Sequence, residues 1–240
     1  MSPSTGSFDA ARSEGGLICE LDHLVLAAST LDEGVAWCEQ VLGVTPGPGG
    51  KHALMGTHNR VLAIGSAAFP RAYLEIIAVD PEAPPPGRMR WFDLDSAALR
   101  VRLASGPQLV HWVARTDALD VALAVLARQG VDGGRVLPAS RATPHGELRW
   151  RIAVPDDGAG LFDGALPMLI EWGAVHPADA LPASGVTLAA LRLGGREPAS
   201  LQRALQALRL PLPLAAPNAG GPALSATLTT PRGVVTLSSC

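Results

Sequence analysis

Lysine is nearly absent from this chain: Lys51 is the one lysine among 19 basic residues in 240. The arginines are dispersed and the formal net charge is only -3. No basic stripe is available to track a phosphate backbone, which excludes nucleic acid as a partner. Cysteine is scarce as well. Cys19, Cys38 and Cys240 are odd in number and lack metal-type spacing, which excludes a disulfide framework or zinc knuckle and fits a reducing, cytoplasmic compartment. Long apolar runs are missing, so no membrane span is expected. The opening residues are Ser/Gly/Ala-rich with acidic residues and no apolar stretch, unlike a signal peptide, and residues 1–17 read as a disordered leader. The wealth of Ala, Gly and Pro and the arginine bias point to a GC-rich bacterial genome rather than to a binding property.

What is present is enough apolar sequence, 48% hydrophobic residues, to bury a substantial core. Residues 19–27, Cys-Glu-Leu-Asp-His-Leu-Val-Leu-Ala, read as a buried strand with His23 set in its middle. Side chains alternate along a strand, so His23 shares a face with Leu21, Val25 and Ala27. A second strand of the same design carries His111, Leu109-Val110-His111-Trp112-Val113-Ala114. The chain after each follows one plan.

After the first strand, Thr30 and Glu33 stand at capping-box spacing and open a helix over 31–42, which Gly43 ends. The Gly/Pro-rich stretch 45–50 reads as a loop. Strands follow near 52–55, over 60–64 and over 72–79, giving a βαβββ unit over residues 18–80. A connector, 81–107, carries a short amphipathic helix and the pair Trp91 and Phe92, suited to anchoring it or to capping a pocket. The second unit, 108–180, has a helix over 117–129 ended by Gly130, and strands over 135–138, 148–154 and 168–173. Residues 181–240 look like a third, partial βαββ copy without histidine, suited to covering a sheet edge or an oligomer surface, which admits a homodimer. The expected fold is α+β: paired βαβββ modules forming a cupped mixed sheet, plus a third partial module.

Each full copy also has a glutamate inside the apolar sequence of its last strand, Glu75 and Glu171. A buried carboxylate needs a cationic or hydrogen-bonding partner. Two histidines and two glutamates can satisfy one another around a divalent metal; a neutral histidine bonded to a glutamate inside the cup is the structural alternative.

The residues Leu-Asp-His23-Leu-Val-Leu, Gly49-Gly50-Lys51-His52, Gly56-Thr57-His58-Asn59-Arg60, Tyr-Leu-Glu75-Ile-Ile-Ala, Leu148-Arg149-Trp150 and Pro167-Met-Leu-Ile-Glu171-Trp172 give a further lead. This arrangement resembles the vicinal oxygen chelate superfamily, in particular its long glyoxalase-like branch with a C-terminal half-module. The resemblance implies a cupped sheet whose concave face holds one divalent ion (Zn, Ni, Co, Mn or Fe), with His23, Glu75, His111 and Glu171 at the ligand positions. It implies Glu171 as the catalytic base, with Glu75 second. His58, Asn59 and Arg149 are the candidate substrate contacts; His145 and His176 read as loop residues.

Such a ligand set leaves coordination positions open for vicinal substrate oxygens and a developing enediolate, which favours a metal-dependent lyase or isomerase on a small molecule. One alternative uses His23, His111 and Glu171 as the two-histidine, one-carboxylate set of a ferrous dioxygenase. Another is a metal-free binding protein for a small drug-like ligand. The fold alone does not choose among them.

Overall fold

The computed structural model describes residues 16–143, 146–215 and 221–239. The leader expected over residues 1–17 therefore falls almost wholly outside the described residues, as do His145 and Cys240. Strand β1 (Cys19–Ala27) leads into α1 (Leu31–Trp37). Thr30 Oγ1 caps that helix by accepting from the Glu33 amide at 3.2 Å, and one wider helical turn, Cys38–Leu42, carries it to Gly43, whose φ of 77° ends it. The Gly/Pro stretch read as a loop instead forms β2 (Gly47–His52), followed by β3 (Thr57–Ala63) and β4 (Tyr73–Val79). Proline and glycine are tolerated there because β2 is an edge strand.

The connector holds α2 (Ala97–Leu103). The second unit then gives β5 (Gln108–Thr116), α3 (Leu119–Arg128), β6 (Arg135–Thr143), β7 (Gly146–Val154) and β8 (Met168–Trp172). All eight strands join one sheet in the order β2-β3-β4-β1-β5-β8-β7-β6. β1 runs parallel to β4, β5 parallel to β8, and β1 and β5 meet antiparallel at the centre. This is the expected paired βαβββ arrangement, a curved mixed sheet with few helices.

Alternation sorts the apolar residues onto two faces. Leu21, Leu24 and Leu26 of β1, Leu74 and Ile76 of β4 and Trp112 of β5 face α1, α3 and the C-terminal segment. That segment forms β9 (Thr187–Leu193), α4 (Pro198–Ala207), β10 (Leu224–Thr230) and β11 (Gly233–Ser238), with the three strands in a separate antiparallel sheet. Val25, Ala27, Ile77, Val113, Trp150, Ile152, Met168 and Ile170 line the opposite, concave face. The connector packs into that concavity: Trp91, Phe92, Leu94, Leu99 and Leu103 are buried with them. Among the described residues, no helix is long and apolar enough to cross a membrane.

Candidate functional site

The central irregularity of β1 decides where its polar residues go. Pairing with β5 skips from Leu21 to His23, so Asp22 is the extra residue of a β-bulge. Leu21 stays on the helix side, while Asp22 and His23 both lie buried on the concave side, at 0% and 4% exposure. Strict alternation would have separated them.

Asp22 there accepts three hydrogen bonds: from His23 Nδ1 at 2.6 Å, from His176 Nε2 at 2.8 Å and from Trp172 Nε1 at 3.0 Å. Burial alone would raise its pKa, but the bonds from His176 and His23 outweigh it and hold the carboxyl well below the usual range. His23 stacks on Tyr73, its lateral neighbour on β4, with ring centroids 4.6 Å apart. Its Nε2 faces Glu75 Oε2 at 3.5 Å. Burial opposes the imidazolium, yet hydrogen bonding to Asp22 and Glu75 and their charges raise its pKa to about 9. Glu75 mirrors this: burial would raise it, and His23 together with Asn59 brings it down to about 2. At neutral pH the pair is a carboxylate and an imidazolium.

Asn59, two residues into β3, donates from Nδ2 to Glu75 Oε1 at 2.5 Å and accepts the Gly50 amide on Oδ1 at 2.7 Å. His52, the last residue of β2, bonds Thr57 Oγ1 through Nδ1 at 3.0 Å and points Nε2 toward Glu75 Oε1 at 3.8 Å. The Asn59 amide lies beside these two, 3.4 Å from His52 Nε2. Burial, only partly offset by Glu75, pushes His52 down to about 4, so it is neutral. These groups line a cavity with about 30 Å³ of free volume, walled by Trp91, Phe92, Trp150 and Trp172.

Of the four ligand positions implied by the resemblance, the structure brings together His23 and Glu75. Glu171 lies on the other face of β8, where it pairs with Arg151 Nη1 at 2.8 Å, and Arg151 in turn reaches Asp120 of α3. The concave face of β8 carries Met168, Ile170 and Trp172 instead. A phase error of one residue moves a side chain across the sheet, and Glu171 stands outside the cup for that reason. His111 is on the concave side but lies across from Val25; the residue across from His23 is Val113. Phe92 covers His111 at 5.4 Å, its Nδ1 is taken up with the Trp112 backbone, and it does not line the cavity. The four-ligand set is thus corrected, and with it the His23, His111, Glu171 set of the dioxygenase alternative.

Members of this superfamily commonly hold a divalent metal, but the residues present here do not fit one. Glu171 lies outside the cup on Arg151, His111 is set back against Phe92 with its Nδ1 on the backbone, and the concave face of β8 carries Met168, Ile170 and Trp172 in place of a carboxylate. Among the described residues, no group of three or more His, Cys, Asp or Glu side chains is disposed to share a metal ion.

The substrate contacts are redistributed too. Asn59 is in the site. His58, its neighbour on β3, alternates to the other face, and Arg149 pairs with Glu147 at 2.7 Å with its side chain 60% exposed on the outer face of β7. Asp22, Tyr73, Arg141 and His176 join the site without having been singled out. His176 is 4% exposed and bonded to Asp22, far from an idle loop residue. Trp91 and Phe92 both anchor the connector and wall the cavity.

A curved eight-stranded mixed sheet with a buried polar site on its concave face defines this as a protein of the vicinal oxygen chelate superfamily. More narrowly, the glyoxalase-like domain family matches residues 21–209, and the chain belongs to that family. A hypothetical protein from Staphylococcus aureus has a similar structure, with a TM-score of 0.58 and 13% identity over 93% of this chain and 87% of its own. The methylmalonyl-CoA epimerases of Streptomyces coelicolor and Mycobacterium tuberculosis are similar at TM-scores of 0.43 and 0.38 and identities of 21% and 19%. The match spans 67% of this chain in both cases and 99% and 91% of theirs. No curated protein matches the sequence.

Proposed function

We propose that this chain is an enzyme that moves a proton on a small oxygenated substrate, an isomerase or lyase step run by Glu75 and His23. One observation carries the reading: a carboxylate and an imidazolium lie 3.5 Å apart in an aromatic-walled cavity, each held in its charged form. Paired groups whose environments drive their proton affinities apart divide into a base and an acid.

In the step, the Glu75 carboxylate takes a proton from a carbon next to a carbonyl. The C–H electron pair becomes a carbon–carbon double bond, and the carbonyl oxygen gains the negative charge. His23 Nε2–H donates to that oxygen and stabilises it. Return of the proton from Glu75 to the same carbon gives exchange with solvent. Delivery to the former carbonyl carbon, while the neighbouring hydroxyl becomes the new carbonyl and its O–H proton passes by way of His23 to the former carbonyl oxygen, completes an isomerisation with no oxidant or reductant. When the substrate oxygen replaces Glu75 as the partner of His23, the carboxylate loses a stabilising contact and its proton affinity rises. Asp22 keeps His23 charged and oriented, Asn59 fixes Glu75, and the indole walls exclude water.

The test is solvent exchange. The protein, treated with a chelator, is incubated in D2O with a panel of small 2-oxo and 2-hydroxy compounds, acids and neutral analogues alike, and carbon-bound deuterium is followed by NMR. Exchange on at least one compound is expected, with a loss of roughly 100-fold or more in Glu75→Gln and His23→Asn variants that melt like the wild type. Exchange that is absent throughout, or indifferent to Glu75→Gln, refutes the assignment. Exchange that disappears on chelation and returns with a divalent ion replaces it with a metal-dependent reaction. A binding protein is the second reading, favoured by the indole-rich wall; it predicts saturable binding without exchange.

A further inference from the structure

The cavity has one cationic side chain that the proton-transfer step does not use. Arg141 lies on β6, at the opposite end of the sheet from β2, and shares its face with Leu137 and Ala139, which pack into the concave core. The sheet curls so far that Arg141 of one edge lies over Gly50 of the other: a Cβ built on Gly50 would fall 1.6 Å from Arg141 Nη1. Any residue but glycine at 50 would push the guanidinium away.

Arg141 Nη1 is buried and has no hydrogen-bond partner among the described residues. Arg115 and Arg71 place their terminal guanidinium nitrogens on Glu20, the Leu21 carbonyl and Asp179, and Arg90 pairs Nη1 with Asp95. The unpartnered atoms of Arg88, Arg90 and Arg102 are the inner Nε, whereas at Arg141 it is a terminal nitrogen in the cavity lining. The nearby carboxylates are already committed, Asp22 to three donors and Glu75 to Asn59 and His23. A buried donor on a charged group is costly to leave unpaired. Trp91, also lining the cavity, has a second buried N–H, Nε1, without a partner. The guanidinium fork matches the two oxygens of a carboxylate in a way that a neutral carbonyl cannot. The cavity is small, which favours an occupant of few heavy atoms.

We propose that Arg141 is the anion contact of this cavity and that its substrate is a small carboxylic acid, held by its carboxylate on Arg141. The inference rests on the proton-transfer reading only for what happens at the other end of the molecule. It places the carboxylate at the closing edge of the bowl and the reacting carbon over Glu75 and His23. A 2-oxo or 2-hydroxy acid of few carbons has that layout.

The test measures binding separately from chemistry. Glycolate and pyruvate, and as neutral counterparts glycolamide and pyruvamide, are titrated into the full-length protein. Binding is read by the fluorescence of the wall tryptophans and by saturation-transfer NMR, in wild type, Arg141→Gln, Arg141→Lys and Glu75→Gln. The acids are expected to bind at least tenfold more tightly than the amides. Arg141→Gln should lose at least tenfold of acid affinity with the amides unchanged, Arg141→Lys should recover part of it, and Glu75→Gln should still bind the acids. Equal affinity for acids and amides, no binding of either, or acid affinity unchanged in Arg141→Gln overturns the assignment. The two proposals fail separately. Glu75-dependent exchange, with acids and amides bound equally and acid affinity unchanged in Arg141→Gln, removes the anion contact and leaves the proton chemistry. Arg141-dependent acid binding without exchange in any compound does the reverse.

Discussion

Asp22→Asn is the most direct probe of how the site is held together. The replacement keeps the shape and removes the charge. Three donors converge on the native carboxylate, from His23, His176 and Trp172 at 2.6, 2.8 and 3.0 Å. An amide has one acceptor oxygen, so its NH2 must turn toward at least one of those donors. Each hydrogen bond to a charged group contributes about 1.5–3 kcal/mol. The variant also avoids the cost of burying a carboxylate, so the net loss is set by the imidazolium left short of a counter-charge, about 3–5 kcal/mol when one partner of a buried pair goes. For a chain of this size that is a fall in melting temperature of roughly 10 °C. The diagnostic readout is His23 itself. Its pKa, about 9 in the native protein, should drop toward the ordinary histidine value, seen by ¹⁵N chemical shifts of the ring, and the alkaline limb of any exchange activity should move down with it. A variant in which His23 still titrates near 9 and urea unfolding shifts by under about 1 kcal/mol would falsify the bulge-centred account of the site.

Other expectations follow from the same geometry. Glu171→Gln and Arg149→Ala, both on the outer face, should leave exchange unchanged. Arg149→Ala should shift stability by no more than about 1 kcal/mol because its ion pair is largely exposed, and Glu171→Gln by about 1–3 kcal/mol because its pair with Arg151 is mostly buried; chemical denaturation and the D2O assay check both. Gly49→Ala should damage the site at a distance, since its Cβ would sit 2.2 Å from the Asn59 carbonyl oxygen and from Asn59 Oδ1. Backbone cannot yield there, so a loss of about 1–3 kcal/mol in thermal melts and a falling exchange rate are expected. Stability should peak near pH 6.5. His52 and His111 titrate near 4 when folded and near 6.5 when unfolded; the unfolded chain binds more protons in that window, and stability falls as pH drops through it. His23 has the opposite sign, with stability lost as pH rises from 6.5 through about 9. Each contributes on the order of 3 kcal/mol; a flat melting temperature from pH 4 to 9 contradicts all three.

Strand β1 was legible because a continuous apolar run with one histidine has few other readings, and its span in the structure is the one its composition suggested. The repeat was legible for the same reason. What a linear sequence conceals is phase and register. Glu75 and Glu171 occupy similar strings, Tyr-Leu-Glu-Ile and Leu-Ile-Glu-Trp, yet β8 turns Ile170 and Trp172 inward and Glu171 outward. Asp22 was concealed by the bulge, which has no composition signal of its own. The glycine-rich approach to His52 reads as a loop; it becomes a strand ending at His52 because β3 supplies the pairing. Arg141 is the extreme case, since nothing near it in the chain reports that the far edges of the bowl meet.

The distribution of polar groups over the bowl has a further consequence. Asp22, His23, His52, Asn59 and Glu75 all come from the first module, while the second, apart from Arg141 and His176, presents Trp150, Ile152, Ile170 and Trp172 as a hydrocarbon and indole surface. The duplicated halves have divided labour, one as reagent and one as mould. Remodelling the mould, at Ile152 or Ile170 for instance, alters which molecule fits while the proton machinery stays in place, and that separation makes the chamber a natural scaffold for directed evolution of selectivity.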